Sequence, residues 1–180
     1  MSSPTQALER FGLSIVPIDA LATSLAKVRG TRSSTRQHLA PTPIRVLADP
    51  EHPGRYEVVD GFKRLAAYRE EGLREVVVLV EPAAEGIHVL QQGLVLMLHA
   101  NALTGTLSCA DEARIVACLL DDHGLSPVAT SRLLGKGKPW VSKRIALARH
   151  LSSEMTRELD AARLHLSVAY SLCSLQRGDQ

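Results

Sequence analysis

The densest group of basic side chains lies in a stretch of the sequence that contains no acid. Between Asp122 and Glu154 there are six lysines and arginines and no aspartate or glutamate. A single-sign stretch of this length suggests a polyanionic partner, although charge alone is explained equally well by a solvated helix face. The side chains available for such contact are Lys136, Lys138, Trp140, Ser142, Lys143, Arg144 and Arg149.

Two predicted helices separated by a tight turn would position these side chains. Ser126 followed by Pro127 predicts a helix start, and Gly135 predicts its end. A second helix is predicted over residues 139 to 149, and Val141 follows the turn glycine at the spacing of a helix-turn-helix motif. We therefore predict that double-stranded DNA is the partner; the alternative is an ordinary helical hairpin with a basic surface.

The motif gives these side chains different expected roles. The first turn of the second helix is expected to present Ser142, Lys143 and Arg144 to base edges. Lys136 and Lys138 in the turn are expected to reach phosphates.

A second candidate site lies where a predicted strand meets a predicted helix. The segment 58–67 places Gly61 at this junction, followed by Lys63 and Arg64. A helix N-terminus with two cations favours an anion such as a phosphate, although a lone glycine there is usually only a turn. The sequence has no G-x-x-x-x-G-K-[ST] motif, which excludes a P-loop nucleoside triphosphatase. The histidines lack metal-ligand spacing, and no catalytic nucleophile stands out.

Composition bounds the architecture. The 180 residues are 45% hydrophobic and 22% charged, which is typical of a globular protein and allows one large domain or two small ones. No apolar run approaches the length of a membrane span, and we expect no membrane association. Three cysteines without a C-x-x-C pair, and no recognisable signal peptide, predict reduced thiols in a cytoplasmic protein.

Hydrophobic periodicity divides the chain into two parts. We predict an α+β N-terminal domain, with a small mixed sheet and helices, over residues 1–104, and an all-α helix-turn-helix domain over residues 105–180. The first part is expected to hold a basic loop over residues 30–41 and a short helix over residues 21–28. Its predicted strands are 14–18 at a sheet edge, 43–47, 56–59, and 75–80, the last buried on both faces.

The order of these parts resembles the ParB family of chromosome and plasmid partition proteins. Gly61, Phe62, Lys63 and Arg64, followed by Ala66 and Ala67, correspond to the family's glycine, glutamate, arginine, arginine nucleotide motif. The family's second motif, E-N-x-x-R followed by leucine and an E-A pair, is matched by Asn101, Leu107, Glu112 and Ala113. The helix-turn-helix is in register at Gly135, Val141 and Ser142, and the resemblance covers about residues 44 to 175.

The resemblance implies a cytoplasmic, nucleoid-associated DNA-binding dimer that closes as a clamp on binding CTP and magnesium. A partner ATPase is a further implication. The residues implied to hold CTP are Gly61, Phe62, Lys63, Arg64, Ala67 and Asn101, and Asn101 is also implied to place the Mg²⁺ ion.

The sequence departs from the family at three positions. Phe62 and Ala100 stand where the family has glutamate, and Thr104 stands where it has arginine. Because alanine cannot orient water or a metal, we expect weak or absent CTP hydrolysis and assign no catalytic residue. The chain ends at Gln180 without room for the family's C-terminal dimerisation domain, so it is either a fragment or dimerises differently.

Two other functions remain open. The chain is alternatively a nucleotide-free DNA-binding adaptor or transcription regulator, or else a ParB-like nucleotide-dependent enzyme such as a kinase or nuclease. No carboxylate cluster typical of a two-metal site supports the enzyme. Partition, regulation and a mobile-element role are not distinguished by the sequence.

Overall fold

The computed structural model describes residues 12–30, 42–102, 107–175 and 179–180, with the backbone alone at residues 101 and 102. The predicted basic loop therefore lies outside the described residues except at Gly30. The chain divides into two compact units. The described residues of the first unit are 12–26 and 42–97, and those of the second are 27–30, 98–102, 107–175 and 179–180.

The first unit is built on a five-stranded mixed sheet. Its strands are β1 (Leu13–Pro17), β2 (Leu21–Ala22), β3 (Ile44–Ala48), β4 (Tyr56–Asp60) and β5 (Glu75–Glu81), arranged in the order β1-β5-β3-β4-β2. Strand β3 lies at the centre, antiparallel to β4 and parallel to β5, while β1 pairs antiparallel with β5 and β2 parallel with β4. Helix α1 (Phe62–Glu70) follows β4, and helix α2 (Val89–Ala102) follows β5. The mixed α/β prediction and the edge position of the first strand are confirmed.

Strand β5 is buried on one face only in its first half, which corrects the prediction that residues 75–80 are buried on both faces. Val76 and Val78 are buried in the core, whereas Val77 between them is 42% exposed. A run of consecutive valines is typical of a strand covered on both faces, but here only the alternate side chains contact the core. The described residues that form this core are Val16, Ile18, Leu21, Ile44, Val46, Val58, Leu65, Val76 and Val78.

Residues 21–28 form the short strand β2 and a 3₁₀ helix (Ser24–Val28), so the predicted short helix is present only in the second part of this range and is of the 3₁₀ type. The buried carboxylate of Glu57 accepts a hydrogen bond from the Leu25 N–H at 3.0 Å. Burial raises the pKa of Glu57, and this hydrogen bond opposes the shift. Leu21 and Ala22 pair with β4 in parallel and do not continue the helix. Long-range contacts thus override the local helical preference that the apolar spacing indicated.

The second unit contains five described helices from residue 109 onward. They are α3 (Cys109–Asp121), α4 (Pro127–Leu134), α5 (Lys138–His150), α6 (Ser153–Asp160) and α7 (Leu166–Leu172). The predicted cap at Ser126 is confirmed, because its hydroxyl accepts from the Ala129 N–H with Pro127 at the first helical position. Ser108 and Asp111 form a capping box at the start of α3. The shared core consists of Ala110, Ala113, Leu147, Leu151, Leu159 and Ala169.

A buried polar cluster fixes the start of α3 to the end of α6. Asp111 accepts hydrogen bonds from the Ser108 N–H at 3.0 Å, the Gly30 N–H at 2.6 Å and Arg114 Nη1 at 2.9 Å. Asp160 accepts from the Ser108 hydroxyl at 2.7 Å and pairs with Arg114. A Cβ on Gly30 would lie 2.5 Å from Asp160 Oδ2, so residue 30 fits only as glycine without a shift of the cluster. Gly30 is therefore held against the start of α3 within the second unit.

None of the helices within the described ranges combines the length and the hydropathy that a membrane-spanning helix requires.

Candidate functional site

A three-residue turn joins α4 to α5. Gly135 adopts a left-handed conformation, with φ of 62°, which favours glycine over residues with a Cβ. The turn is closed by hydrogen bonds from the Lys136 N–H to the Ser131 carbonyl and from the Ser131 hydroxyl to the Lys136 carbonyl, at 3.1 and 2.6 Å. Gly137 caps α5 without a side-chain hydrogen bond. The N-terminus of α5 therefore keeps its backbone N–H groups free of side-chain capping.

The exposed polar side chains at the start of α5 are cationic or hydroxyl-bearing. Lys138, Ser142 and Lys143 are exposed, and Lys136 and Trp140 are partly buried. The ammonium of Lys136 lies 5.7 Å from the centroid of the Trp140 ring. The structure thus brings these five predicted residues together in the turn and the first turns of one helix.

This charge arrangement works against helix stability. The positive end of the helix dipole favours acids in the first turn, as α3 and α6 have, yet α5 has no acid there and begins with Lys138. Cations at that position repel the dipole but suit a polyanion held against the helix end. The first turn of α4 also lacks an acid, so α5 differs from it chiefly in carrying exposed lysines there.

Arg144 is the main correction to the predicted interface. It is buried, with 9% of its side chain exposed, and its guanidinium forks onto the Glu112 carboxylate, with Nε at 2.7 Å from Oε2. Its Nη1 donates to the Tyr170 hydroxyl at 2.6 Å, and its guanidinium stacks on the Trp140 ring at 4.6 Å. Arg144 therefore holds α5 to α3 and α7, and its donors are not directed to a base edge.

Arg149 lies apart from the other predicted DNA contacts. It is in the last turn of α5, about 16 Å along the helix axis from Lys138. Its guanidinium pairs with Asp121 at 2.6 Å in an exposed position. This pair links the end of α5 to the end of α3.

The predicted nucleotide element forms a strand-to-helix junction. Gly61 caps α1 with φ of 97°, and no side chain caps this helix. A Cβ there would lie 2.9 Å from Arg64 Nη2 and 3.3 Å from Ile44 Cγ1. Glycine is thus required both by the backbone conformation and by the close approach of Arg64. The first N–H groups of α1 and the exposed Lys63 are the donors that suit a phosphate.

Arg64 is engaged within the first unit. Its guanidinium hydrogen-bonds the Thr42 hydroxyl, lies 3.4 Å from the Pro43 carbonyl, and pairs with Asp60 at 3.4 Å. Only 13% of this side chain is exposed, and its Nε is buried without a hydrogen-bond partner among the described residues. The Arg64 guanidinium therefore links the residues just before β3 to the end of β4. Its Nε–H is the donor that could bind an additional acceptor.

The other predicted nucleotide residues are placed less directly. Phe62 packs against the sheet core, so its side chain serves the fold while its N–H remains at the helix end. Ala67 lies within α1 and is partly buried. Asn101 is in the last turn of α2, and its side chain lies outside the described part of the structure. Within the described residues, no group of three or more histidine, cysteine or acidic side chains is placed to hold a metal ion. The donor set fits a phosphate group.

No role is predicted for Tyr170 from the sequence, and Glu112 is predicted only through the family resemblance. Both contact Arg144 across long sequence separations of 26 and 32 residues. A signal was present in the helix itself, because Val141, Arg144 and Leu147 recur at three-residue spacing on one face and all are buried. An arginine on an apolar face needs an acid from another element, and Glu112 supplies it.

Comparison with known proteins supports the fold class. No family model matches the chain. Among solved structures, the Pnob8-like ParB-N domain aligns with a TM-score of 0.50 at 13% identity, covering 88% of this chain and 77% of that one. C-terminally truncated Caulobacter crescentus ParB aligns at 21% identity in two complexes. In the complex with the centromeric parS site, 89% of this chain and 84% of that one are covered, with a TM-score of 0.46. In the complex with CTP-gamma-S, the coverage is 92% and 94%, with a TM-score of 0.37.

The chain therefore has the fold of the ParB N-terminal domain, and the predicted resemblance to ParB proteins is confirmed. Among curated proteins, it is 30% identical over 135 residues to "Putative replication protein B" of Rhizobium rhizogenes. The alignment covers 75% of this chain and 41% of that protein, so the chain spans about two fifths of the length of the curated relative.

Proposed function

We propose that the chain is a ParB-like protein that binds specific double-stranded DNA through α4, the turn and α5. The observation that supports this proposal best is the set of exposed cations at the N-terminus of α5, where folding favours acids. The similarity to a protein named for replication, together with the ParB-N fold, supports a role in replicon partition or its regulation.

In this proposal, residues in the first turns of α5 read sequence. Ser142 and Lys143 are exposed and reach base edges, whereas Lys136 and Lys138 contact phosphates on either side of the turn. Trp140 supports this surface through its stacking with Lys136. Arg144 acts as a brace within the protein and contacts no base.

Selection from a randomised duplex library tests the proposal. The protein is immobilised, bound duplexes are amplified over several rounds, and the recovered sequences are compared with the starting library. We expect one enriched motif that the protein binds about 10³-fold more tightly than a scrambled duplex. Recovery of random sequences would contradict sequence-specific binding.

Lys138→Ala and Lys143→Ala are expected to affect DNA binding differently. Loss of the Lys138 phosphate contact should weaken binding to all duplexes alike and reduce the salt slope by about one. Loss of Lys143 should weaken the selected duplex by about 1–3 kcal/mol and the scrambled duplex much less. Fluorescence anisotropy at several salt concentrations measures both effects.

Arg157→Ala is the matched control, because it removes one exposed cation from α6 in the same unit. Its affinity and salt slope should remain close to those of the wild type. Equal losses in all three variants would indicate a diffuse charge effect and would exclude the assigned roles.

The proposal includes a nucleotide site at the N-terminus of α1, with CTP and Mg²⁺ as the ligands implied by the family resemblance. The groups that would hold the phosphates are the Gly61 junction, the first N–H groups of α1, Lys63 and the Nε of Arg64, which has no hydrogen-bond partner within the described ranges. Bound CTP would supply a negatively charged triphosphate. This charge would attract the guanidinium of Arg64, which contacts Asp60 and Thr42 in the present structure. Because Ala100 offers no carboxylate, we propose that the site binds the nucleotide with little hydrolysis.

Arg64→Ala is expected to weaken CTP binding about tenfold or more, since it removes a charge-assisted donor. Arg69→Ala is the control on the same helix, as Arg69 donates to the Leu21 carbonyl at the far end of α1. Calorimetry with CTP, the other nucleoside triphosphates and Mg²⁺ gives the affinities, and a phosphate-release assay gives turnover. Ala100→Glu should raise turnover. Rapid turnover by the unmodified protein would contradict the site as proposed.

A nucleotide-free DNA-binding adaptor is the second candidate. It is favoured by the engagement of Arg64 with Asp60 and Thr42 and by the packing of Phe62 on the core. Failure of every nucleoside triphosphate to bind would select it. A homodimer, a partner ATPase and a cytoplasmic, nucleoid-associated location follow from the resemblance and belong to the proposal.

A further inference from the structure

Lys143 is not an independent surface lysine. Its ammonium lies over the ring of Tyr170, 5.5 Å from the ring centroid. Tyr170 belongs to α7, outside the two helices of the proposed DNA-binding motif. The Lys143 side chain, which is expected to discriminate between bases, thus contacts an aromatic ring of α7.

The ring itself is fixed by buried contacts. The Tyr170 hydroxyl accepts a hydrogen bond from Arg144 Nη1 at 2.6 Å. Arg144 is in turn forked onto Glu112 of α3. A continuous series of contacts therefore runs from Glu112 through Arg144 and Tyr170 to Lys143.

Such support has a consequence for recognition. A lysine side chain has four rotatable bonds and loses much rotamer freedom when it must adopt one position. A cation held over an aromatic face is already restricted, so less entropy is lost when it binds a base edge.

We propose that Tyr170 is a positioning residue for DNA recognition, which holds the Lys143 ammonium in place while Arg144 and Glu112 hold the ring. This inference rests on the proposed DNA-binding function. It assigns to α7 a part in sequence discrimination through Lys143, without a direct DNA contact by Tyr170. The competing explanation is that the ring only fills space beside the core of the second unit, against which it packs.

A double-mutant cycle distinguishes these explanations. Affinities for the selected and the scrambled duplex are measured for the wild type, Lys143→Ala, Tyr170→Leu and the double variant. We expect Tyr170→Leu to reduce the preference for the selected duplex about fivefold, and to have no further effect once Lys143 is absent. Tyr170→Phe removes the hydrogen bond from Arg144 but keeps the ring and its packing against the core of the second unit. It should therefore retain the preference within about twofold, which a requirement for the hydroxyl alone would not allow.

Additive losses in the cycle would overturn the proposal, because a space-filling ring acts independently of Lys143. If the wild type binds the selected duplex no better than the scrambled one, the proposed function fails and the inference fails with it. If the wild type discriminates and the losses add, only the inference fails.

A second measurement needs neither DNA nor a folded Tyr170→Leu variant. The ring current of Tyr170 should shift the methylene protons of Lys143 next to the ammonium upfield in the NMR spectrum of the wild type. Tyr170→Phe should preserve this shift. Resonances at the ordinary lysine position in the wild type would overturn the proposal.

Discussion

Replacing Arg144 by leucine is expected to lower the free energy of unfolding by about 3 kcal/mol, because it leaves the partly buried Glu112 carboxylate without its partner. The replacement also removes the donor to the Tyr170 hydroxyl and the stacking on Trp140. Urea denaturation followed by the fluorescence of Trp140, the sole tryptophan, measures the loss in the helical unit.

Lys143→Leu is the control for this prediction, since it makes the same kind of change at the neighbouring position, which is exposed. It should alter the free energy of unfolding by less than about 1 kcal/mol. Similar losses for the two variants, or a stable Arg144→Leu protein that loses DNA binding alone, would return Arg144 to the DNA interface.

Replacing Asp111 by alanine should cost about 2–4 kcal/mol, as it removes the capping carboxylate of α3 and leaves several donors unpaired. The Gly30 and Ser108 N–H groups lose their acceptor, and Arg114 loses one of two carboxylates. Urea denaturation again gives the size of the effect. Hydrogen exchange at Gly30 should accelerate at the same time, because its amide bonds directly to Asp111.

Glu154→Ala provides the comparison for Asp111. Glu154 is also an acid in the first turn of a helix, but it is exposed, and the cap of α6 is made by Ser152. We expect its loss to cost less than about 0.5 kcal/mol. An equally small cost at Asp111 would mean that the buried cluster does not stabilise the second unit.

Local chemistry in the sequence was sufficient for helix boundaries. The Ser108 box, the Ser126 cap and the left-handed Gly135 each depend on contacts within a few residues, and the structure has all three. The glycine junction at Gly61 was predictable for the same reason. The edge position of β1 was indicated by Pro17, because a proline is confined to edge strands and strand ends, although the pairing with β5 that creates this edge is long-range.

Side-chain burial was less predictable, because it depends on residues distant in the chain. The partners of Arg144 lie 26 and 32 residues away in the sequence, so no local pattern indicates that this arginine is buried. Arg64 has contacts of both kinds. Its pair with Asp60 spans four residues and is a local pattern, whereas its hydrogen bond to the Thr42 hydroxyl spans 22 residues and is not.

The valines of β5 illustrate the same limit for strands. Their composition matches a strand buried on both faces, and only the coverage of the sheet determines that Val77 stays exposed while Val76 and Val78 are buried.

Hydrogen–deuterium exchange of the unmodified protein, with and without the selected duplex, tests the central claim most directly. DNA bound as proposed should slow exchange in peptides covering the turn and the first turns of α5, residues 135–143, and the scrambled duplex should slow it much less. Protection confined to the strands of the first unit, or equal protection by both duplexes, would contradict sequence-specific recognition by α5.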